Sequence, residues 1–114
     1  MNQIQQLMDK KTLIRDLDLS NQGIGIQDIQ VLTEALKINT ILTSLDLRGN
    51  QIGHQEAQAL AKALKINTTL ARLSLWGSQI GYQIAEALAE ALKINTTLTV
   101  LYLSSDQIGT QFTK

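Results

Sequence analysis

The sequence predicts an α/β solenoid, a right-handed superhelix with parallel strands on its concave side and helices on its convex side. Three observations carry that reading. The stretch Leu42-Thr43-Ser44-Leu45-Asp46-Leu47-Arg48-Gly49-Asn50-Gln51-Ile52-Gly53 recurs in variant form from Ile14, Leu70 and Leu98, a period of 28 residues. Within each unit the apolar pattern changes from period 2 to the 3.6-residue period of a helix. The unit is too short to bury its own apolar face, so successive copies must stack.

In chain order, residues 1–13 form an amino-terminal half-unit, because a step of 28 maps Ile4, Leu7 and Met8 onto Leu32, Ala35 and Leu36. This segment is expected to cap the stack. Full units follow at 14–41, 42–69 and 70–97, and a partial unit at 98–114 lacks its helix, all within the single domain 1–114.

Each unit opens with alternating leucines, the pairs being Leu17 and Leu19, Leu45 and Leu47, Leu73 and Leu75, and Leu101 and Leu103. Such brief alternation predicts a short strand with one face buried. A glycine-containing turn follows, with Ile24, Ile52, Ile80 or Ile108 at a fixed offset as a core plug. Then come Ile29, Leu32, Thr33 and Leu36, or Ala57, Leu60, Ala61 and Leu64, or Ala85, Leu88, Ala89 and Leu92. That i, i+3, i+4, i+7 spacing is one face of an amphipathic helix. Asn39, Asn67 and Asn95 are expected to end the helices in the left-handed conformation. Strands about 4.8 Å apart beside helices about 8–10 Å apart force the stack to curve.

These residues resemble the ribonuclease-inhibitor-like class of leucine-rich repeats, with units of about 28 residues built on L-x-x-L-x-L-x-x-N followed by a helix. Leu42 to Asn50 matches every position, and Ala-Leu-Lys-Ile-Asn-Thr occurs at 35–40, 63–68 and 91–96. The asparagine that bonds loop backbone in this family appears only as Asn50, with Gln22, Ser78 and Asp106 at the equivalent positions. The resemblance implies a protein-interaction module that binds its partner through the concave sheet. It also raises two alternatives: a GTPase-activating or effector-like regulator, by analogy with family members, and a structural or designed repeat segment without a ligand.

Composition narrows the classes. Ten basic residues balance ten acidic ones, which gives no general attraction to nucleic acid or to an anionic membrane. The absence of cysteine and the single histidine remove thiolate chemistry and make a metal site improbable. No enzyme, cofactor or metal is expected, since no constellation of catalytic residues recurs or converges. The chain carries no signal-peptide pattern and no apolar run of the roughly 20 residues that span a bilayer. A cytoplasmic location is expected, with secretion by a non-standard route left open.

The positions between the strand leucines face away from the core and form three columns. They are Asp16, Ser44, Arg72 and Val100; Asp18, Asp46, Ser74 and Tyr102; and Ser20, Arg48, Trp76 and Ser104. Aromatic and arginine side chains dominate binding hot spots, which selects Trp76, Tyr102, Arg48 and Arg72, with Asp18 and Asp46 beside them, as the partner-binding residues. The competing reading has Trp76 pack on Tyr102 to cover the sheet, and the aspartates form weak cross-strand ion pairs. Glu34, Lys62 and Glu90 are expected to pair from helix to helix. His54 reads as a surface residue. Asn67-Thr68-Thr69 and Asn95-Thr96-Thr97 fit a glycosylation pattern but fall where the repeat itself calls for asparagine and threonine. The missing last helix predicts an unpaired strand edge at Leu101 and Leu103, which leaves three alternatives: Phe112 folds back over it, the chains associate end to end, or the sequence is a fragment of a longer array.

Overall fold

The computed structural model describes residues 3–9, 11–75, 82–103 and 111–113. Its elements run α1 (Gln3–Gln6), β1 (Asp16–Asp18), α2 (Ile26–Ile38), β2 (Ser44–Asp46), α3 (His54–Leu64), β3 (Arg72–Ser74), α4 (Tyr82–Ile94), β4 (Val100–Tyr102) and β5 (Gln111–Thr113). β1 to β4 pair in parallel and in sequence order, so that Leu17, Leu45, Leu73 and Leu101 stand in one row. The helices pack in the same order on the other side, α2 on α3 and α3 on α4.

The leucines of each strand turn from the concave face into the space between sheet and helices. Leu17, Leu45, Leu73 and Leu101 are buried there, and so are Leu19, Leu47, Leu75 and Leu103. Ile29, Leu32 and Leu36 of α2, and Ala57, Leu60 and Leu64 of α3, close the core from the helix side. Ile24 and Ile52 plug the turns as their fixed offset predicts, while Ile80 and Ile108 lie outside the described residues. One continuous core results. It extends to Ile4 and Leu7 in the amino-terminal segment, while Met8 is more exposed.

Three departures from the sequence reading have physical causes. First, Ala35, Ala63 and Ala91 are fully buried although they fall outside the predicted helical stripe, and Ala89 is exposed although it falls within it. Small side chains at 35, 63 and 91 let the helices approach their neighbours. Ala61, at the position equivalent to Ala89, is buried in a helix that has another packed against each side. α4 has no described helix beyond it.

Second, of the outcomes left open for the β4 edge, the segment that holds Phe112 covers it at Val100–Tyr102, and the edge is not bare there. β5 pairs antiparallel with β4, Leu101 facing Phe112 and Tyr102 facing Gln111. A parallel partner would need a crossover of a dozen or more residues, whereas a nearby segment can return antiparallel. The sheet is therefore four parallel strands plus one antiparallel strand. End-to-end association of chains through a bare β4 edge loses its premise.

Third, Asn39 is not left-handed. Its φ of −74° and ψ of 135° are extended, and its side chain does the capping instead. The Asn39 Oδ1 accepts from the Ile41 and Leu42 N–H groups at 2.9 and 2.7 Å, and its Nδ2 donates to the Leu7 carbonyl at 3.1 Å. Asn67 and Asn95 repeat the arrangement, donating to the Leu36 and Leu64 carbonyls at 2.7 Å each. Each of the three full units is thereby tied to the one before it.

Candidate functional site

Alternation along the strands sends Leu17, Leu45, Leu73 and Leu101 inward and leaves their neighbours on the concave surface. Parallel register then sets those neighbours in rows. Asp16, Ser44, Arg72 and Val100 form one, and Asp18, Asp46, Ser74 and Tyr102 the other. Of the six residues selected from the sequence, Asp18, Asp46, Arg72 and Tyr102 lie in these rows and Arg48 stands two positions past the end of β2. Trp76 lies outside the described residues.

Asp46 and Arg48 form a close ion pair on this face. Arg48 Nε donates to both carboxylate oxygens of Asp46 at 2.9 Å, and Nη2 lies 2.7 Å from Oδ2. The Arg48 backbone N–H donates to the same carboxylate at 3.0 Å. The pairing expected between strands is thus made within one unit, because a residue two positions along the turn reaches the carboxylate without crossing the sheet. The Asp46 carboxylate holds the Arg48 guanidinium even more firmly protonated than usual. The planar fork is held in a fixed orientation, with its remaining N–H groups toward solvent.

Asp18 makes the corresponding turn with Ser20. The Ser20 hydroxyl donates to Asp18 Oδ1 at 2.6 Å and the Ser20 N–H at 2.9 Å. These two bonds, hydroxyl first, hold the Asp18 carboxyl below its ordinary pKa, with a smaller contribution from Arg48. Arg72 and Tyr102 are exposed at their rows' centre and end. The surface is open and wet. It offers charged and aromatic contacts, and no metal-binding cluster of carboxylate and imidazole groups occurs among the described residues.

The turns that present this face are fixed by Asn50. Its Oδ1 accepts from the Gln22 and Ile24 N–H groups at 3.0 and 2.9 Å, and its Nδ2 donates to the Leu19 and Leu47 carbonyls at 2.8 and 3.0 Å. One asparagine therefore holds the turns of two units, and Gln22 takes part through its backbone alone. Ser78 and Asp106 lie outside the described residues.

On the convex side Glu34 pairs with Lys37 at 3.3 Å and Glu90 with Lys93 at 3.0 Å. These contacts run along single helices and correct the helix-to-helix pairing read from the sequence. Residues three apart on one helix are about 5–6 Å apart, closer than axes of packed helices at about 8–10 Å. Sequence reasoning also passed over Ile38, Ile66 and Ile94, which are exposed. The thrice-repeated Ala-Leu-Lys-Ile-Asn-Thr was the signal that could have found them. No helix among the described residues is long and apolar enough to cross a membrane.

The strand ladder, the packed helices and the asparagine-held turns define a leucine-rich-repeat protein, compatible with the ribonuclease-inhibitor-like class. A family model described as leucine-rich repeat matches residues 39–61. Among solved structures, leiomodin-1 actin-binding site 2 superimposes with a TM-score of 0.83 at 26% identity, over 89% of this chain and 59% of that one. The tropomodulin C-terminal domain of Caenorhabditis elegans superimposes with a TM-score of 0.80 at 16% identity, over 91% of this chain and 62% of that one. The chain thus spans about three fifths of the length of these structures. No characterised protein sequence matches it.

Proposed function

We propose that the chain is a protein-interaction module, not an enzyme, and that it engages its partner through the concave face of β1 to β4. The observation that carries this reading is the row of Asp18, Asp46, Ser74 and Tyr102, held in register on the side of the sheet away from the leucine core. With Arg48 and Arg72 they form a patterned charged and aromatic surface, the composition in which binding hot spots are found. Trp76 occupies the Arg48 position of the next repeat in the sequence and belongs to the proposal.

The likeness to leiomodin-1 actin-binding site 2 makes actin the first partner to test. Binding of the chain to actin monomers and filaments would be measured for the wild type and for Arg72→Ala/Tyr102→Ala, alongside capture of partners from a lysate. A variant that keeps its melting curve and loses the partner supports the concave face. Undiminished capture by that variant removes it.

A further inference from the structure

The repeat that builds the concave sheet also lays an apolar row along the rim where the helices end. Ile38, Ile66 and Ile94 occupy one register position in successive units and are 56, 52 and 59% exposed. Ile38 and Ile94 are the last residues of α2 and α4, and Ile66 lies just past the end of α3. Isolated exposed apolar side chains need no explanation, but three in one row do. Each follows a lysine: Lys37, Lys65 and Lys93. Lys37 and Lys93 are held only by exposed pairs to Glu34 and Glu90, and Lys65, in the centre, makes no ion pair among the described residues. At its amino-terminal end the row runs into an open cavity of about 260 Å³, of whose lining Leu7, Met8, Ile38 and Ile41 are the apolar half and Asp9 is one of the polar residues.

We propose that this rim docks an amphipathic helix of another protein, with an apolar stripe and an acidic flank. Packed helices lie about 8–10 Å apart, so the isoleucines recur at about that interval. An α-helix rises 1.5 Å per residue, which puts side chains seven residues apart at about 10.5 Å. A helix laid across α2, α3 and α4 thus sets one apolar residue of its stripe on each isoleucine, and one more step places the next in the cavity. An extended peptide does not match. At about 3.3 Å per residue it covers the interval in three residues, and odd steps along a strand alternate faces. The lysines select the acidic flank, with Lys65 contributing most because exchanging Glu34 or Glu90 for a partner carboxylate changes little.

The test uses a labelled helical peptide of about 22 residues with leucines at every seventh position and glutamates beside them, and a scrambled peptide of the same composition. Fluorescence anisotropy with the full chain should show binding of the patterned peptide alone, weakened about tenfold or more by Ile38→Ser/Ile66→Ser/Ile94→Ser and also by Lys65→Glu. All three isoleucines are exposed, so the triple variant should keep its melting curve. Should it not, leucine-to-serine changes in the peptide read the same contact on the wild-type chain. Equal binding of the scrambled peptide, or failure of the patterned one to bind, overturns the proposal. So does finding that the triple substitution abolishes flotation on phosphatidylserine vesicles, or self-association in sedimentation, while leaving peptide binding unchanged.

Discussion

The Asn95 side-chain amide donates to the Leu64 carbonyl at 2.7 Å, reaching back 31 residues to the end of the preceding helix. Its Oδ1 accepts from the Leu98 N–H at 2.7 Å and the Thr97 N–H at 2.9 Å. One buried amide therefore satisfies a helix end and the entry to the next strand together. Asn67 serves Leu36, Thr69 and Leu70 in the same way.

Substituting Asn67 by alanine strands one carbonyl and two N–H groups in the interior. Each unsatisfied buried group costs about 1–3 kcal/mol, less where water can enter, so Asn67→Ala should lower stability by roughly 2–4 kcal/mol. Thr68→Ala, next door and exposed, should change it little. Urea denaturation of the two variants reads the difference, and equal midpoints would show that the ladder adds nothing.

Gly49 and Gly23 both have positive φ, +71° and +66°, yet alanine should be tolerated differently at the two sites. At Gly23 an added methyl meets nothing, while at Gly49 it collides with the Asn21 carboxamide. Both substitutions carry the left-handed strain of about 1–2 kcal/mol, and only Gly49→Ala adds a clash. The expected order of stability is wild type, Gly23→Ala, Gly49→Ala. Asn21→Gly relieves the positive φ of 56° at that position in any background, so it should recover more of the loss in Gly49→Ala, where it also removes the obstructing side chain, than in Gly23→Ala. Thermal melts of the single and double variants decide it.

The fold was legible because burial repeats locally. Leu45 and Leu47, or Leu60 and Leu64, announce their face by spacing alone, and Ile52 by its fixed offset. What was not legible depends on where a side chain finds its partner. Asn39 looks like a left-handed helix stop until its amide is seen to reach Leu7. Glu34 has lysines both along its own helix and across the stack, and spacing does not choose between them. β5 falls in a tail with no period to read. The concave rows were legible from alternation, whereas Asp46 gripping Arg48 within one unit was not, since the ion pairs read from the sequence ran across strands.

Protonation of Asp18 should follow the Ser20 hydroxyl. That bond favours the charged carboxylate and lowers the Asp18 pKa in the folded chain. Its contribution to stability is thus fully present above the ordinary carboxylate range and is lost as pH falls through the lowered folded value. In Ser20→Ala the backbone bond at 2.9 Å remains, so the pKa should rise only part of the way to its ordinary value. A carbon-detected NMR titration of the Asp18 carboxyl in both chains measures this. Identical titrations would assign the shift to the backbone bond and to Arg48 instead.

Asn67 and Asn95 each begin an Asn-Thr-Thr triplet of the glycosylation type, but folding removes both acceptors. The amide nitrogen that would carry the glycan is buried and donates to the Leu36 or Leu64 carbonyl. A glycan there would break the rung and push the strand entry away from the preceding helix. Treated with an oligosaccharyltransferase, the folded chain should stay unmodified at both positions, while a synthetic peptide covering 65–71 should accept the sugar. Mass spectrometry of the two reactions tests the point. Modification of the folded chain at Asn67 without loss of its melting transition would contradict the buried ladder itself.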